Sequence, residues 1–577
     1  MAWYDEAVFY HIYPLGLTGA PKKNEYSAPV HRLVTLLPWI DHLKKMGFTA
    51  LYIGPLFESA GHGYETTDYR KLDSRLGTNE DLTGFVKACH DAGMKVIFDG
   101  VFNHTGRDFF AFKDIQQNRE NSRYRDWYCN VNFWGNTEYN DGFSYDNWGG
   151  YNLLVKLNQR NPEVRDYIAD VIRFWVSEFD VDGIRLDAAD VLDFDFMKML
   201  RRVADQVKPD FWLMGEVIHG DYSRWANSNT LHSVTNYSLH KALYSGHNDH
   251  NYFEIAHTIR YTGNMISSNI RLYNFVDNHD VERIYTKLTN KAHYFPVHVL
   301  LYTLPGIPSV YYGSEFGIEG RKERWSDDSL RPYIDLKEHA KDYTKNPCTK
   351  LILSLGKVRR EYKEDLSYGD YRELLLTNRQ FAYGRGKLLI AVNNDENPAD
   401  LSLPAEDGEY IGLLSGEKVT ASGGRLNVRL NASQGEIYAP AERSVKGLAA
   451  KVSAKDFKPA KPEAKSELKP EKKPGAKPGK KPEKPPVKKA QKKKEPAHET
   501  AKEAVKKEMP EAQEKKPDLR PAEIPDLPYS EMTVEQLQAV ILAKMAKNGP
   551  VSDQMRKDVE DNIWHDSLVN WANSFRN

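Results

Sequence analysis

Gly183-Ile-Arg-Leu-Asp187 is a short apolar run that stops on a carboxylate, with Arg185 two residues before Asp187 and so on the same face of an extended chain. Three further segments repeat the design: Asp99-Gly-Val-Phe-Asn-His104, Gly215-Glu216-Val217 and Phe275-Val-Asp-Asn-His-Asp280. Each closes an apolar stretch that reads as a buried strand. Each sets an acid, Arg, His or Asn where that strand stops. Buried strands whose C-terminal ends carry acids are what a (β/α)8 barrel enzyme needs, because the scaffold hides the strands and their C-terminal ends face substrate.

Outward from these segments, strand-like and helix-like stretches alternate from residue 7 to about 362. Strands are expected at 7–13, 49–53, 95–101, 183–186, 212–217, 272–276 and 309–312, with a less distinct unit near 232–237. Helices are expected at 33–46, 79–92, 194–207, 294–304 and 351–362. Pro162–Phe179 is the clearest helix: Val164, Tyr167, Ile168, Val171, Ile172, Trp175 and Phe179 follow the i, i+3, i+4 stripe behind an opening Pro. The sum is eight βα units, a TIM barrel over residues 1–362. Residues 105–160, rich in Asn, Tyr, Trp and Asp, are too long for a structureless loop and read as an inserted subdomain after the third strand. Residues 363–440 change character, with short strands at 388–393, 410–414 and 426–430, and suggest a β-sandwich.

Residues 441–528 are dominated by Lys, Pro, Glu and Ala, as in Lys480-Lys-Pro-Glu-Lys-Pro-Pro-Val-Lys-Lys489. Such a stretch buries too little apolar surface to fold and reads as a disordered linker. Its Glu and Pro content favours a solvated tether over a polyanion-binding arm. Residues 529–577 regain a pattern. Thr533 and Gln536 form a capping box ahead of Leu537, Val540, Ile541 and Met545, and a second stripe holds Met555, Val559, Ile563, Leu568 and Phe575. This predicts a helical hairpin whose apolar face needs a partner: its own enzyme, a second copy or another protein.

The 577 residues exceed one compact core, so several domains are expected. A formal net charge of −1 argues against a globally basic nucleic-acid binder. Cys89, Cys129 and Cys348 imply no disulfide framework. The start lacks a basic n-region and an apolar h-region, and no apolar run is long enough to span a bilayer, so a soluble cytoplasmic protein without membrane partners is expected.

Cleaving a glycosidic bond takes one carboxylic acid to protonate the leaving oxygen and a second carboxylate to attack or stabilise the anomeric carbon. Asp187 has Arg185 beside it, and a guanidinium there is expected to keep it ionised, as a nucleophile requires. Glu216 ends the neighbouring strand, about 4.8 Å away. Asp280 approaches from the far side. His104 and His279 offer ring donors to sugar hydroxyls, and Tyr64 follows the second strand as a floor for the sugar. The plainer reading of a strand-end Asp is a helix cap or turn residue. The accompanying Arg, His and Asn favour catalysis for Asp187, Glu216 and Asp280. Asp277 reads as non-catalytic. Asp99 reads equally as a structural hydrogen-bonding group, Trp148 as barrel-mouth packing, and His62 and Lys156 as solvated surface.

These segments resemble the α-amylase superfamily of glycoside hydrolases over about residues 1–440. The resemblance implies a barrel with an inserted B domain after the third strand, a C-terminal β-sandwich and a retaining attack on α-glucosidic bonds. It implies Asp187 as nucleophile, Glu216 as acid/base and Asp280 as transition-state stabiliser. Tyr64, Asp99, His104, Arg185 and His279 would surround the sugar, with Asn103 and Trp148 in support. Leu154-Val-Lys-Leu-Asn158, Asp187-Ala-Ala-Asp190 and Ser223-Arg-Trp225 resemble the cyclomaltodextrinase, neopullulanase and maltogenic amylase group, which usually carries an N-terminal sandwich domain that this chain does not show. Where many α-amylases place Lys-His for substrate and calcium, this chain has Asp190 and Val191, and no Asp-rich calcium pattern follows the first strand. No metal and no cofactor are therefore expected. A glucanotransferase of the same fold, or an inactive barrel serving as a scaffold through its tail, are the competing functions.

Overall fold

The barrel follows from eight short strands that bury both faces: β1 (Phe9–Ile12), β2 (Ala50–Ile53), β3 (Lys95–Gly100), β4 (Gly183–Leu186), β5 (Trp212–Gly215), β6 (Ser233–Val234), β7 (Tyr273–Asn274) and β8 (Ile307–Tyr311). The structure is a computed structural model and describes residues 2–324, 326–458 and 532–548, with Arg556, Val559, Leu568 and Ala572 beyond them. The strands pair in parallel in chain order, and β8 returns to β1 with Phe9 opposite Ser309. The seam between β6 and β7 is joined by one parallel bridge, Thr235 to Tyr273, so the barrel is nearly closed. Alternation along the strands splits the core in two. Phe9, Tyr52, Ile97, Trp212, Met214 and Tyr273 share one cluster, with Trp212 stacked on Phe9 at 5.1 Å. Tyr10, Leu51, Val96, Ile184 and Val310 belong to the larger core shared with the helices.

The helices are α1 (Leu37–Met46), α2 (Asn79–Asp91), α3 (Pro162–Phe179), α4 (Phe194–Val207), α5 (Tyr237–Asn248), α6 (Tyr252–Met265), α7 (Tyr294–Thr303) and α8 (Pro347–Glu361). Side-chain caps start several of them, Thr78 on α2, Asn161 on α3 and Asp193 on α4. Gly47 ends α1 with φ 89°, hard against the backbone of Gly356 in α8, where no side chain fits. The expected regular repeat fails at the fifth unit. Only a 3-10 turn, Tyr222–Arg224, lies between β5 and β6, because Gly220, Asp221, Ser223, Asn227, Ser228 and Asn229 favour turns. Two helices, α5 and α6, follow β6 instead.

The insertion is folded, as its length requires. It holds the helix Phe110–Asn118 and a three-stranded sheet in which His104–Gly106 and Asn147–Trp148 flank Tyr151–Lys156. After the barrel come eight antiparallel strands: β9 (Tyr371–Leu376), β10 (Gln380–Arg385), β11 (Leu388–Asn393), β12 (Ala399–Pro404), β13 (Gly408–Gly412), β14 (Lys418–Ser422), β15 (Arg425–Leu430) and β16 (Gln434–Pro440). They form one hydrogen-bonded sheet, ordered β9-β10-β11-β16-β13-β14-β15-β12, whose two halves share a core that includes Leu389, Leu403, Leu426 and Tyr438.

The tether expected from residue 441 does not begin there. Residues 441–458 run back onto the barrel and bury Leu448, Ala450, Val452 and Phe457. Phe457 stacks on Tyr294 of α7 at 5.7 Å, and Tyr285 donates from its hydroxyl to Lys458 O at 2.6 Å. Apolar side chains at these positions outweigh the polar composition around them. Residues 459–528 of the expected linker lie outside the described residues.

A separate unit contains α9 (Val534–Asn548). Thr533 and Gln536 exchange the capping-box bonds, Thr533 N to Oε1 at 2.8 Å and Gln536 N to Oγ1 at 3.3 Å. Leu537, Val540 and Ile541 share a small core with Val559, Leu568 and Ala572. Met555, Ile563 and Phe575 of the expected second stripe lie outside the described residues. Among the described residues, no helix is long and apolar enough to cross a membrane.

Candidate active site

The site grows from the C-terminal ends of β3, β4 and β5. Asp99 lies on β3, opposite Arg185 on β4, and Arg185 lies opposite Met214 on β5. Parallel register therefore brings Asp99, Arg185, Asp187 and Glu216 to one corner of the barrel mouth. Arg185 Nη1 donates to Asp99 Oδ1 at 2.8 Å and to Asp187 Oδ1 at 2.8 Å, and its Nη2 meets Glu216 Oε2 at 2.8 Å. One guanidinium thus serves three carboxylates, using the fork geometry that lysine lacks. Ala188, in the left-handed region at φ 45°, turns its N–H toward Glu216 Oε2 at 3.0 Å. The acids are graded by depth: the Asp99 side chain is 0% exposed, Asp187 10%, Glu216 12% and Asp280 34%.

Asp280 is held from the opposite side. His279 Nε2 lies 3.0 Å from Oδ2, and Arg331 Nη2 donates to Oδ1 at 2.9 Å. Lys322 Nζ donates to the Asp280 carbonyl at 2.8 Å. Tyr64 joins the two halves. Its hydroxyl reaches Asp99 Oδ2 at 3.2 Å and also His279 Nε2, and its ring stacks on His279 at 5.6 Å and 11°. His104 Nε2 faces Tyr64 O at 3.2 Å, and Asn103 Nδ2 faces His104 Nδ1 at 3.2 Å. Among the described residues, the buried Asn103 Oδ1 finds no hydrogen-bond partner.

Electrostatics divide the acids. Burial resists ionisation of Asp280, yet His279, Arg331 and Lys322 hold it well below the usual carboxylate range. Asp187 goes the other way. Burial pushes it up, and Glu216, Asp99 and Asp280 add to the push against Arg185. Arg185, expected to keep Asp187 ionised, pulls against all of these. Burial opposes the charge on Arg185 too, but Asp99 and Glu216 outweigh it and hold the guanidinium above its ordinary range. Burial lowers His104 to about 3, so its ring is neutral. Asp190, partly buried one turn beyond Asp187, is raised to about 7 by burial and by Glu216.

The structure brings Tyr64, Asp99, Asn103, His104, Arg185, Asp187, Glu216, His279 and Asp280 together. Trp148 lies instead in the outer hairpin of the insertion, opposite Tyr151. Asp277 is structural: it accepts from Ser314 Oγ at 2.7 Å and from Ile284 N at 2.8 Å. His62 faces Glu65 at 3.3 Å, and the backbone of Lys156 pairs with His104. Sequence reasoning missed Tyr52, whose hydroxyl donates to Asp99 Oδ2 at 2.8 Å, and Tyr237, whose hydroxyl lies 3.4 Å from Glu216 Oε1. It also missed Arg331. Asn278, which donates to the Tyr237 hydroxyl at 3.1 Å, lay unused inside the Phe275–Asp280 segment. Among the described residues, no group of three or more His, Cys, Asp or Glu is placed to hold a metal ion.

Residues 35–350 match the family model of the α-amylase catalytic domain, and the chain belongs to the α-amylase family of glycoside hydrolases. Its relatives point to a narrower group. A cyclomaltodextrinase of Thermoanaerobacter pseudethanolicus is 32% identical over 457 residues, covering 75% of this chain and 77% of the relative. Neopullulanase 2 of Thermoactinomyces vulgaris is 29% identical over 477 residues, covering 75% and 78%. A solved cyclomaltodextrinase structure superposes with a TM-score of 0.68 at 26% identity, over 76% of this chain and 78% of that one.

Proposed function

We propose that the enzyme cleaves α-1,4-glucosidic bonds of malto-oligosaccharides, cyclodextrins or starch-derived glucans with retention of anomeric configuration. One observation carries the reading: Arg185 bonds Asp187 and Glu216 through its two Nη atoms at 2.8 Å each. Two carboxyls bridged by one guanidinium are held close to one another. This favours the roughly 5–5.5 Å spacing of retaining enzymes over the wider inverting arrangement.

In the first half-reaction Glu216 gives its proton to the glycosidic oxygen while Asp187 attacks the anomeric carbon. The C–O bond to the leaving glucan breaks as the bond to Asp187 forms. In the second, Glu216 takes a proton from water, the hydroxide oxygen bonds to the anomeric carbon, and Asp187 leaves as a carboxylate. Glu216 enters this step as the acid and Asp187 as the carboxylate, and the Arg185 charge beside Asp187 favours its ionised form. Asp280, held ionised, stabilises positive charge on the sugar ring. Tyr64, stacked on His279, underlies the sugar, and His104, its ring nitrogens facing Tyr64 O and Asn103 Nδ2, holds that floor in place. Asp99 and Asn103 fix Arg185 and His104. No step calls on a metal or a cofactor.

The test is a product time course on maltoheptaose, β-cyclodextrin, soluble starch and pullulan, with the anomer of the first product read by NMR and Glu216→Gln as control. Retained configuration and loss of oligosaccharide and cyclodextrin ahead of starch are expected. An inverted first product rejects the mechanism. Dominant transfer products in excess water replace hydrolysis by glucanotransfer. No turnover above the Glu216→Gln background rejects the substrate class.

A further inference from the structure

The two carboxyl oxygens of Glu216 have different surroundings. Oε2 meets Arg185 Nη2 at 2.8 Å and accepts from Ala188 N–H at 3.0 Å. Two donors occupy that oxygen, one of them charged, so it has no place for a proton of its own. The proton that Glu216 delivers therefore sits on Oε1. Among the described residues, one group hydrogen-bonds to Oε1: the Tyr237 hydroxyl, at 3.4 Å. The bond is long, as contacts to an acid/base often are before substrate arrives.

The direction of that bond is set from its far side. Asn278 Oδ1 accepts from Asp280 N at 2.8 Å and from Val281 N at 3.1 Å. Two backbone donors identify the oxygen end of the amide, so the end turned to Tyr237 is the NH₂ group. Its Nδ2 donates to the Tyr237 hydroxyl at 3.1 Å. The hydroxyl thus receives a proton from Asn278 and keeps its own to give. Glu216 Oε1 is the one acceptor it meets among the described residues. Burial, with Glu216 and Asp280 close by, holds the phenol well above its ordinary range against the pull of Asn278, so this donor does not ionise.

The ring itself is held. Tyr237 opens α5, where Asn236 caps the helix by accepting from Leu239 N at 3.1 Å. It meets Phe275 edge to face at 4.9 Å. The chain Asn278–Tyr237–Glu216 therefore runs from beyond β7 to the end of β5 and reaches the acid through the oxygen that Arg185 leaves free. An Oε1 that accepts from Tyr237 has one direction left for its proton. That direction serves the leaving oxygen in the first step, and the same donor steadies the carboxylate that takes a proton from water in the second.

We propose that Tyr237 is the positioning residue that aims the Glu216 proton, by donating its hydroxyl hydrogen to Oε1. The proposal rests on the reading of Glu216 as acid/base above. Its test compares two substrates on the full chain. Maltoheptaose needs a proton on its leaving oxygen. α-Maltosyl fluoride does not, because fluoride departs without one, and kcat/KM reports the reaction only as far as that departure. Tyr237→Phe keeps the ring, and is expected to lower kcat/KM on maltoheptaose about tenfold while leaving kcat/KM on the fluoride within about twofold of the parent. Glu216→Gln is expected to show the same split on a larger scale, with a loss of about 10³ on maltoheptaose alone. Retained turnover of the fluoride also reports that each variant has folded.

Equal losses on the two substrates would make Tyr237 a packing residue and overturn the proposal. So would a Tyr237→Phe enzyme that matches the parent on maltoheptaose. The two readings fail separately. If Glu216→Gln loses the fluoride as fully as maltoheptaose, Glu216 is not the acid, and the proposal falls with that reading. If the fluoride rescues Glu216→Gln while Tyr237→Phe shows no split, the acid assignment stands and the proposal alone is rejected.

Discussion

Arg185 and Arg359 are both buried, 3% and 1% exposed, and they are satisfied in opposite ways. Arg185 meets three carboxylates and is held above its ordinary range. Arg359 donates to Tyr302 O at 2.7 Å and Gly306 O at 3.1 Å. Burial lowers it to about 9, helped by the neighbouring Arg385 and Arg271. Arg385 adds a bond to Thr303 O at 2.8 Å, so the pair closes the carbonyl end of α7. One guanidinium organises other charges at a mouth open to substrate. The other neutralises orphan carbonyls at a helix end. Burial alone therefore says little about role; the chemistry of the acceptors decides it.

Substitutions can break this contrast, and the largest effect belongs at the mouth. Asp187→Asn should lower kcat/KM by about 10⁴ or more, measured on maltoheptaose, with the fold retained by circular dichroism. A smaller loss would move the nucleophile elsewhere. Arg185→Met follows, with a loss of about 10²–10³. Because Arg185 lowers the Asp187 pKa, its removal lets Asp187 hold its proton to higher pH. The acid limb of the pH–rate profile should therefore move upward, and an unmoved limb would show that Arg185 only positions the acids.

Arg359→Met should keep activity at 25 °C and lower stability by about 2–4 kcal/mol, read as a lower melting temperature, because two carbonyls lose their donors. A variant as stable as the parent would dissolve the distinction between the two arginines. The smallest effect concerns Asp190, raised to about 7 from its ordinary 3.8. The folded chain binds this proton more tightly than the unfolded chain, so the site's contribution to stability falls as pH rises from about 4 to about 7. Asp190→Asn removes that loss. Its melting temperature should exceed the parent's by a few degrees at pH 8 and approach it at pH 4.

The parts of the molecule legible in the sequence are those with local signals. Strand ends such as Arg185–Asp187 and a helix such as Pro162–Phe179 carry their pattern within a few residues. β6 is two residues long, too short for any periodicity, and was visible only as an unclear unit. Three strands were legible in the C-terminal sheet where eight exist, because exposed positions such as Glu409 and Lys418 dilute the alternation. Arg331 escaped because it reaches Asp280 from 51 residues further along, in a loop without a pattern. The acids crowding Asp187 were not legible because only Arg185 is near it in sequence, and Asp99 and Glu216 converge through strand register. The 441–458 segment was misassigned by composition, which averages away four apolar side chains that pack.

That segment also sets when the enzyme can finish folding. Phe457 is part of the barrel's own core, so a nascent chain that stops short of it is left with an open socket against α7 and α8. Residues 458–577 are still to be synthesised when the last piece arrives. The catalytic unit can therefore close while the chain is still being made. A shortened gene that ends at 440 would release an enzyme with its latch missing, whereas one that ends just past 458 would not.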